Sequence, residues 1–155
     1  VYNQRSKLYF KSDEAYLYKT VTVEGNFEKR YSIWLGELKE FISKIPKDRN
    51  IYIVCIPHCS QLNSFYNNNI EQIGAVFPNK NKYGNLEYAL LKKASSDLKD
   101  YKNVSILNPL QRFRERDSAN HRLYYLNDPH LNNLGQKILG EYLNEKLVLS
   151  EYQED

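Results

Sequence analysis

The sequence predicts an α/β fold built on a parallel sheet, and three observations predict it. Residues 50–57 hold a continuous apolar, β-branched run, Ile51-Tyr-Ile-Val-Cys-Ile56. It is too short for a helix and lacks the alternation of a strand wetted on one face, so it suits a parallel strand covered on both faces. Residues 104–107, Val-Ser-Ile-Leu, give a second short strand of the same kind. Helical patterns lie between and after the two. Strand, helix and strand joined by short links fold as a parallel crossover with helices on the sheet faces.

The elements follow in order. Residues 1–15 are polar and mixed, with no period of helix or strand, and read as an arm. Residues 16–23, Tyr-Leu-Tyr-Lys-Thr-Val-Thr-Val, read as a strand stopped by Gly25-Asn26. Over 30–44, Trp34, Leu38, Phe41, Ile42 and Ile45 share one helical face, and Pro46 closes the helix. The polar stretch 57–83, rich in asparagine, reads as a functional loop region with a short helix near 70–76. Asn85 is placed to cap a helix running to about Leu98, with Leu86, Ala89, Leu90 and Ala94 as its apolar stripe. A helical turn is expected at 109–115 and a short apolar stretch at 122–126. The final helix spans 131–147, with Leu134, Ile138, Leu139, Tyr142, Leu143 and Leu147 inward. Residues 1–29 thus form an arm and short strand, 30–149 the domain and 150–155 a tail.

Composition narrows the function. One domain is expected from 155 residues, and 41% hydrophobic residues with 14% aromatic can bury a core. Twenty-two basic residues against 19 acidic ones leave +3 with the signs interspersed, so nucleic acid is not an expected partner. No apolar run approaches the roughly 20 residues of a helical membrane span. Cys55 and Cys59 cannot make a disulfide framework and read as free thiols. The chain starts at Val1 and has no methionine, which reads as a piece of something longer.

In α/β sheets ligands gather at the carboxyl ends of the strands. Here that means Pro57-His58-Cys59-Ser60, Asn108-Pro109 and the segment after Leu126. The last is the most informative: Asp128 and His130 flank Pro129 just before an amphipathic helix. A carboxylate two residues before a histidine, across a proline of fixed φ, can accept a hydrogen bond from Nδ1–H and hold the other nitrogen facing outward as a base. The plain alternative is a turn at 127–129, a helix cap at Asn132 or Asn133, and a surface histidine. His58 and Ser60 are candidate substrate-binding residues at the end of the first strand. Ser60 or Cys59 could serve as nucleophile, although a loop cap and a half-buried thiol explain them without further assumption. Cys55, His58 and Cys59 are metal-ligand types, but no second pair exists, so no metal is expected. Arg112, Arg114 and Arg116 read as a solvated helix face, His121 as an exposed loop residue and Trp34 as core.

The block Asp128-Pro-His130-Leu-Asn132-x-x-Gly135, with the amphipathic helix after it, resembles the last block of the SGNH (GDSL-type) hydrolases. The likeness is to the O-acetyltransferase and acetyl-esterase branch, where one residue separates the aspartate from the histidine. It extends back through the strand ending at Pro57, Val104-Ser-Ile-Leu-Asn-Pro with Arg112-Phe113-Arg114, and Leu123-Tyr-Tyr, and so covers about residues 30 to 147. The resemblance implies a three-layer α/β/α flavodoxin-like domain, a serine nucleophile and an oxyanion hole. It implies His130 as general base and then acid, and Asp128 as its orienting partner. No metal or organic cofactor is needed. The implied substrate is a small acyl ester, acetyl above all, of a carbohydrate or similar alcohol.

This chain has no Gly-Asp-Ser and no Gly-x-Asn-Asp block, so the resemblance covers the carboxyl-terminal portion only. The expected partners are therefore the substrate and the missing amino-terminal half, or a second copy pairing along an exposed sheet edge. The rival expectation is a non-catalytic α/β binding or assembly module.

Overall fold

The computed structural model describes residues 27–72, 89–126 and 128–151. The strand expected at 16–23, most of the amino-terminal arm and the cap expected at Asn85 lie outside them. Helix α1 (Phe27–Ser43) leads into β1 (Ile51–Val54), a short 3-10 turn (Cys59–Gln61) and α2 (Ser64–Gln72). Helix α3 (Ala89–Asp97), β2 (Val104–Leu107), α4 (Leu110–Arg116) and α5 (Asn133–Glu151) follow. The chain is α/β in character.

The strands pair in parallel, Ile51 opposite Val104 and Val54 opposite Leu107. The ladder is extended at both ends by Ile51 N–H to the Asn103 carbonyl (2.7 Å) and Cys55 N–H to the Leu107 carbonyl (3.0 Å). The expectation of strands covered on both faces is corrected: every residue of β1 is half-buried. Among the described residues the sheet has two strands, and a two-stranded sheet has no interior strand to enclose.

Helix α1 buries Tyr31 and Ile42 and half-buries Trp34, Leu35, Leu38 and Ile45. Its last turn tightens: Lys44 and Ile45 donate to the Phe41 and Ile42 carbonyls three residues back. Such bonds satisfy carbonyls that an α-helical end leaves open. Phe41, expected inward, is 59% exposed because it stands at the edge of that stripe. Tyr31, Trp34 and Leu35 pack against Leu90 and the fully buried Ala94 of α3, and the Tyr31 hydroxyl donates to Asp97 at 2.6 Å. Burial first, and then that bond, pushes the Tyr31 phenol up.

The larger core joins Cys59, Leu62, Tyr66, Ile70, Leu91, Leu110, Phe113, Leu123, Tyr124 and Ile138. Its aromatic centre is Tyr124, edge-on to Tyr66 (5.6 Å between ring centres) and to Phe113 (6.3 Å). Edge-to-face rings suit the aromatic quadrupole, and burying Phe113 alone contributes about 1.5–3 kcal/mol. Helix α2 begins earlier than the helix expected near 70–76. Asn63 accepts from the Phe65 amide at 2.9 Å and starts it, while Tyr66, Asn67 and Ile70 make its buried face.

Three further expectations are corrected. Arg114 is not solvated: its guanidinium grips the Gln61 carbonyl through Nε (2.9 Å) and Nη2 (2.8 Å). Arg112 pairs with Glu145 at 2.6 Å and ties α4 to α5. Leu147 is 39% exposed rather than inward, because α5 runs on past that ion pair. Among the described residues no helix is long and apolar enough to cross a membrane, and no group of three or more His, Cys, Asp or Glu side chains is placed to hold a metal ion.

Candidate active site

The segment carrying Asp128 and His130 is a miniature antiparallel ladder. Tyr125 N–H donates to the His130 carbonyl (3.2 Å) and Asn132 N–H to the Leu123 carbonyl (3.0 Å), so Tyr124 and Leu131 stand as a bridged pair. Side chains alternate across a ladder. Tyr124 (1% exposed) accordingly turns inward, and its hydroxyl donates to the Pro57 carbonyl. That bond ties the ladder to the chain leaving β1, which places it at the carboxyl end of the sheet.

Behind the ladder, Asn132 and Gly135 do structural work. The Asn132 carboxamide oxygen accepts from the Gly135 amide at 3.0 Å, capping α5, and its nitrogen donates to the Arg122 (2.7 Å) and Tyr124 (3.3 Å) carbonyls. A Cβ on Gly135 would lie 2.1 Å from the Leu123 carbonyl oxygen, so only glycine lets the helix start this close.

Under the ladder lies a polar hub that no local sequence pattern announces. The Asp117 side chain is 1% exposed, and its carboxylate accepts from Arg122 (2.8 Å), the Leu123 amide (3.1 Å), the Asn63 carboxamide and the Tyr66 hydroxyl. The Arg122 guanidinium stacks over the Phe65 ring, 3.7 Å from its centre. Burial first, and then the carboxylate, pushes the Tyr66 phenol up. These bonds fix the start of the ladder rigidly on α2.

At its other end the ladder presents Asp128 and His130. Asp128 Oδ1 accepts from the His130 amide at 2.8 Å and also meets His130 Nδ1. A carboxylate can only accept, so Nδ1 carries a proton here; in the neutral imidazole that tautomer puts the lone pair on Nε2. The bond from the His130 amide, and then that from the ring, holds the Asp128 carboxyl below its ordinary value of 3.8. The His130 side chain is 77% exposed and that of Asp128 51%. Among the described residues, no serine or cysteine side chain hydrogen-bonds to the His130 ring.

The other candidate residues cluster in the 3-10 turn after β1. His58 is half-buried; its Nδ1 accepts from the Ser60 amide (3.2 Å), and its own amide donates to Gln61 Oε1 (2.8 Å). The two bonds form a reciprocal cap. Ser60 is buried, and its hydroxyl has no hydrogen-bond partner among the described residues. Cys59, expected half-buried, is 1% exposed, with Sγ 3.8 Å from His58 Nδ1. Cys55 is the half-buried thiol, pushed up by burial, and both cysteines are free. The structure thus brings Asp128 and His130 together but joins neither to Ser60 or Cys59 by a hydrogen bond. His121 is exposed, in a bridge with Ser118.

Against protein-family models, curated proteins and solved structures the chain finds no match.

Proposed function

We propose that the chain supplies the histidine and carboxylate of an SGNH/GDSL-like serine esterase or O-acyltransferase. Its substrate is a small acyl ester, acetyl in the first instance, of a carbohydrate or similar alcohol. The supporting observation is the Asp128–His130 pair, with Nδ1 engaged by a carboxylate and Nε2 open, on a ladder tied to the carboxyl end of β1. In this reading β1 and β2 belong to a three-layer flavodoxin-like sheet, and the serine comes from outside the described residues. His130 Nε2 takes the serine proton as the hydroxyl oxygen attacks the acyl carbon. It then gives that proton to the departing alcohol, leaving an acyl-serine. Water or an acceptor alcohol reverses the steps, and Asp128 stabilises the imidazolium in each.

The full-length gene product is assayed with 4-nitrophenyl acetate beside His130→Ala and Asp128→Asn. The reading expects kcat/KM to fall by roughly 10³-fold or more in His130→Ala. It expects stability to stay within about 0.5 kcal/mol, because the ring is mostly in solvent. Turnover indifferent to His130 would sink it. A second reading, a non-catalytic binding or assembly module, is favoured by the exposure of His130 and by the lack, among the described residues, of a hydroxyl hydrogen-bonded to its ring. Absence of turnover in the full-length protein, with no fluorophosphonate labelling of any serine, supports that second reading.

A further inference from the structure

We propose that Tyr125 is the platform on which the sugar ring of the substrate stacks, beside His130; this rests on the esterase reading above. The argument begins with the register of the ladder. With Tyr124 paired to Leu131, the residue directly opposite Tyr125 is His130, and the Tyr125 amide bonds to the His130 carbonyl at 3.2 Å. Residues directly opposite in an antiparallel pair put their side chains on the same face. Tyr124 (1% exposed) and Leu131 occupy the inner face, so Tyr125 and His130 share the outer one. Exposure agrees: Tyr125 is 51% exposed and the His130 side chain 77%.

Both residues stand on anchored backbone. The Leu126 carbonyl accepts from the Asn69 carboxamide, which holds the end of this strand on α2. The Asp128 carboxylate holds the His130 amide and ring. The space beside the proton-transferring ring, where the exposed Tyr125 stands, is where the alcohol part of an ester must lie, since His130 returns its proton to that oxygen. An acetyl group is too small to cover a phenol ring, whereas the apolar C–H face of a pyranose matches it. A tyrosine hydroxyl can in turn meet the sugar's own hydroxyls. Tyr125 is thus a substrate-contacting residue that selects the alcohol, while His130 acts on the bond.

The test compares two substrates in the full-length protein, a mono-O-acetylated methyl glycoside and ethyl acetate, as a ratio of kcat/KM values. Tyr125→Ala is expected to lower that ratio about 3- to 10-fold, chiefly through KM for the glycoside, while Tyr125→Phe keeps most of it. An unchanged ratio in Tyr125→Ala, with activity still dependent on His130, overturns the platform and leaves the esterase reading standing. Activity indifferent to His130 overturns the esterase reading and with it the platform. Where no turnover is seen, the acetylated glycoside is titrated into the protein by NMR. Shifts in the Tyr125 ring signals that His130 shares and that Tyr125→Ala abolishes support the platform. No shift up to about 20 mM glycoside overturns it.

Discussion

Asp117 and Asp128 bound one short segment, and they have opposite surroundings. Asp117 is enclosed and accepts from an arginine, an asparagine, a tyrosine and a backbone amide. Asp128 stands half in solvent and accepts from a single residue, His130, through its amide and its ring. A buried carboxylate persists only when its neighbours replace water completely, and Asp117 meets that condition. An exposed one is free to give its field to one imidazole. The base of the ladder is therefore organised for rigidity, and the tip for a group that reaches outward.

Breaking the base has the largest effect. Asp117→Ala leaves Arg122, Asn63 and the Tyr66 hydroxyl without this acceptor, and the Leu123 amide with the Tyr66 hydroxyl alone, so a loss of about 3–5 kcal/mol is expected. Urea unfolding followed by tyrosine fluorescence measures it; a loss near that of a surface substitution would show that the hub carries little. Gly135→Ala comes next. Its new methyl meets the Leu123 carbonyl, so α5 must shift away from the ladder, costing about 1–3 kcal/mol. Thermal unfolding beside a Gly140→Ala control sharpens the point, since nothing lies within 4 Å of a Cβ there. A control as damaging as Gly135→Ala would mean that helix propensity, not the close approach, governs the site.

The tip was the more legible of the two in the sequence, for a physical reason. Asp128, Pro129 and His130 interact across two residues, and local geometry is written in local sequence. The same holds for α1, α5 and both strands, whose apolar periods or runs report the face that packs. Asn132 also announced itself as one of two expected caps. Asp117 did not, because Arg-Phe-Arg-Glu-Arg-Asp-Ser reads as a solvated run. Its burial depends on Asn63 and Tyr66, far away in sequence. Arg114 was misread likewise, since its partner is the Gln61 carbonyl. Tyr66 lay hidden in the stretch Ser-Phe-Tyr-Asn-Asn-Asn, where polar composition masked a helix whose buried face is Tyr66, Asn67 and Ile70. The half-burial of β1 was invisible because a run of apolar residues reports what a strand can be covered by, not how many strands flank it.

The smallest effect is the most discriminating at the tip. The Asp128 carboxyl is held below 3.8, and the bond from the His130 amide is the largest single cause, ahead of the bond from the ring. A depressed carboxyl adds stability that is present above its ordinary value and is lost as pH falls through the lower folded value. Carbon-detected NMR of the Asp128 carboxyl should therefore give a midpoint below 3.8 in the native chain. His130→Ala removes the ring but keeps the amide, so a midpoint still below 3.8 is expected. The turn would then exist independently of the imidazole, and the imidazole would be the part free to act. A midpoint returning to the ordinary value in His130→Ala would reverse that assignment: the ring would be holding the turn, and its exposed position would be structural.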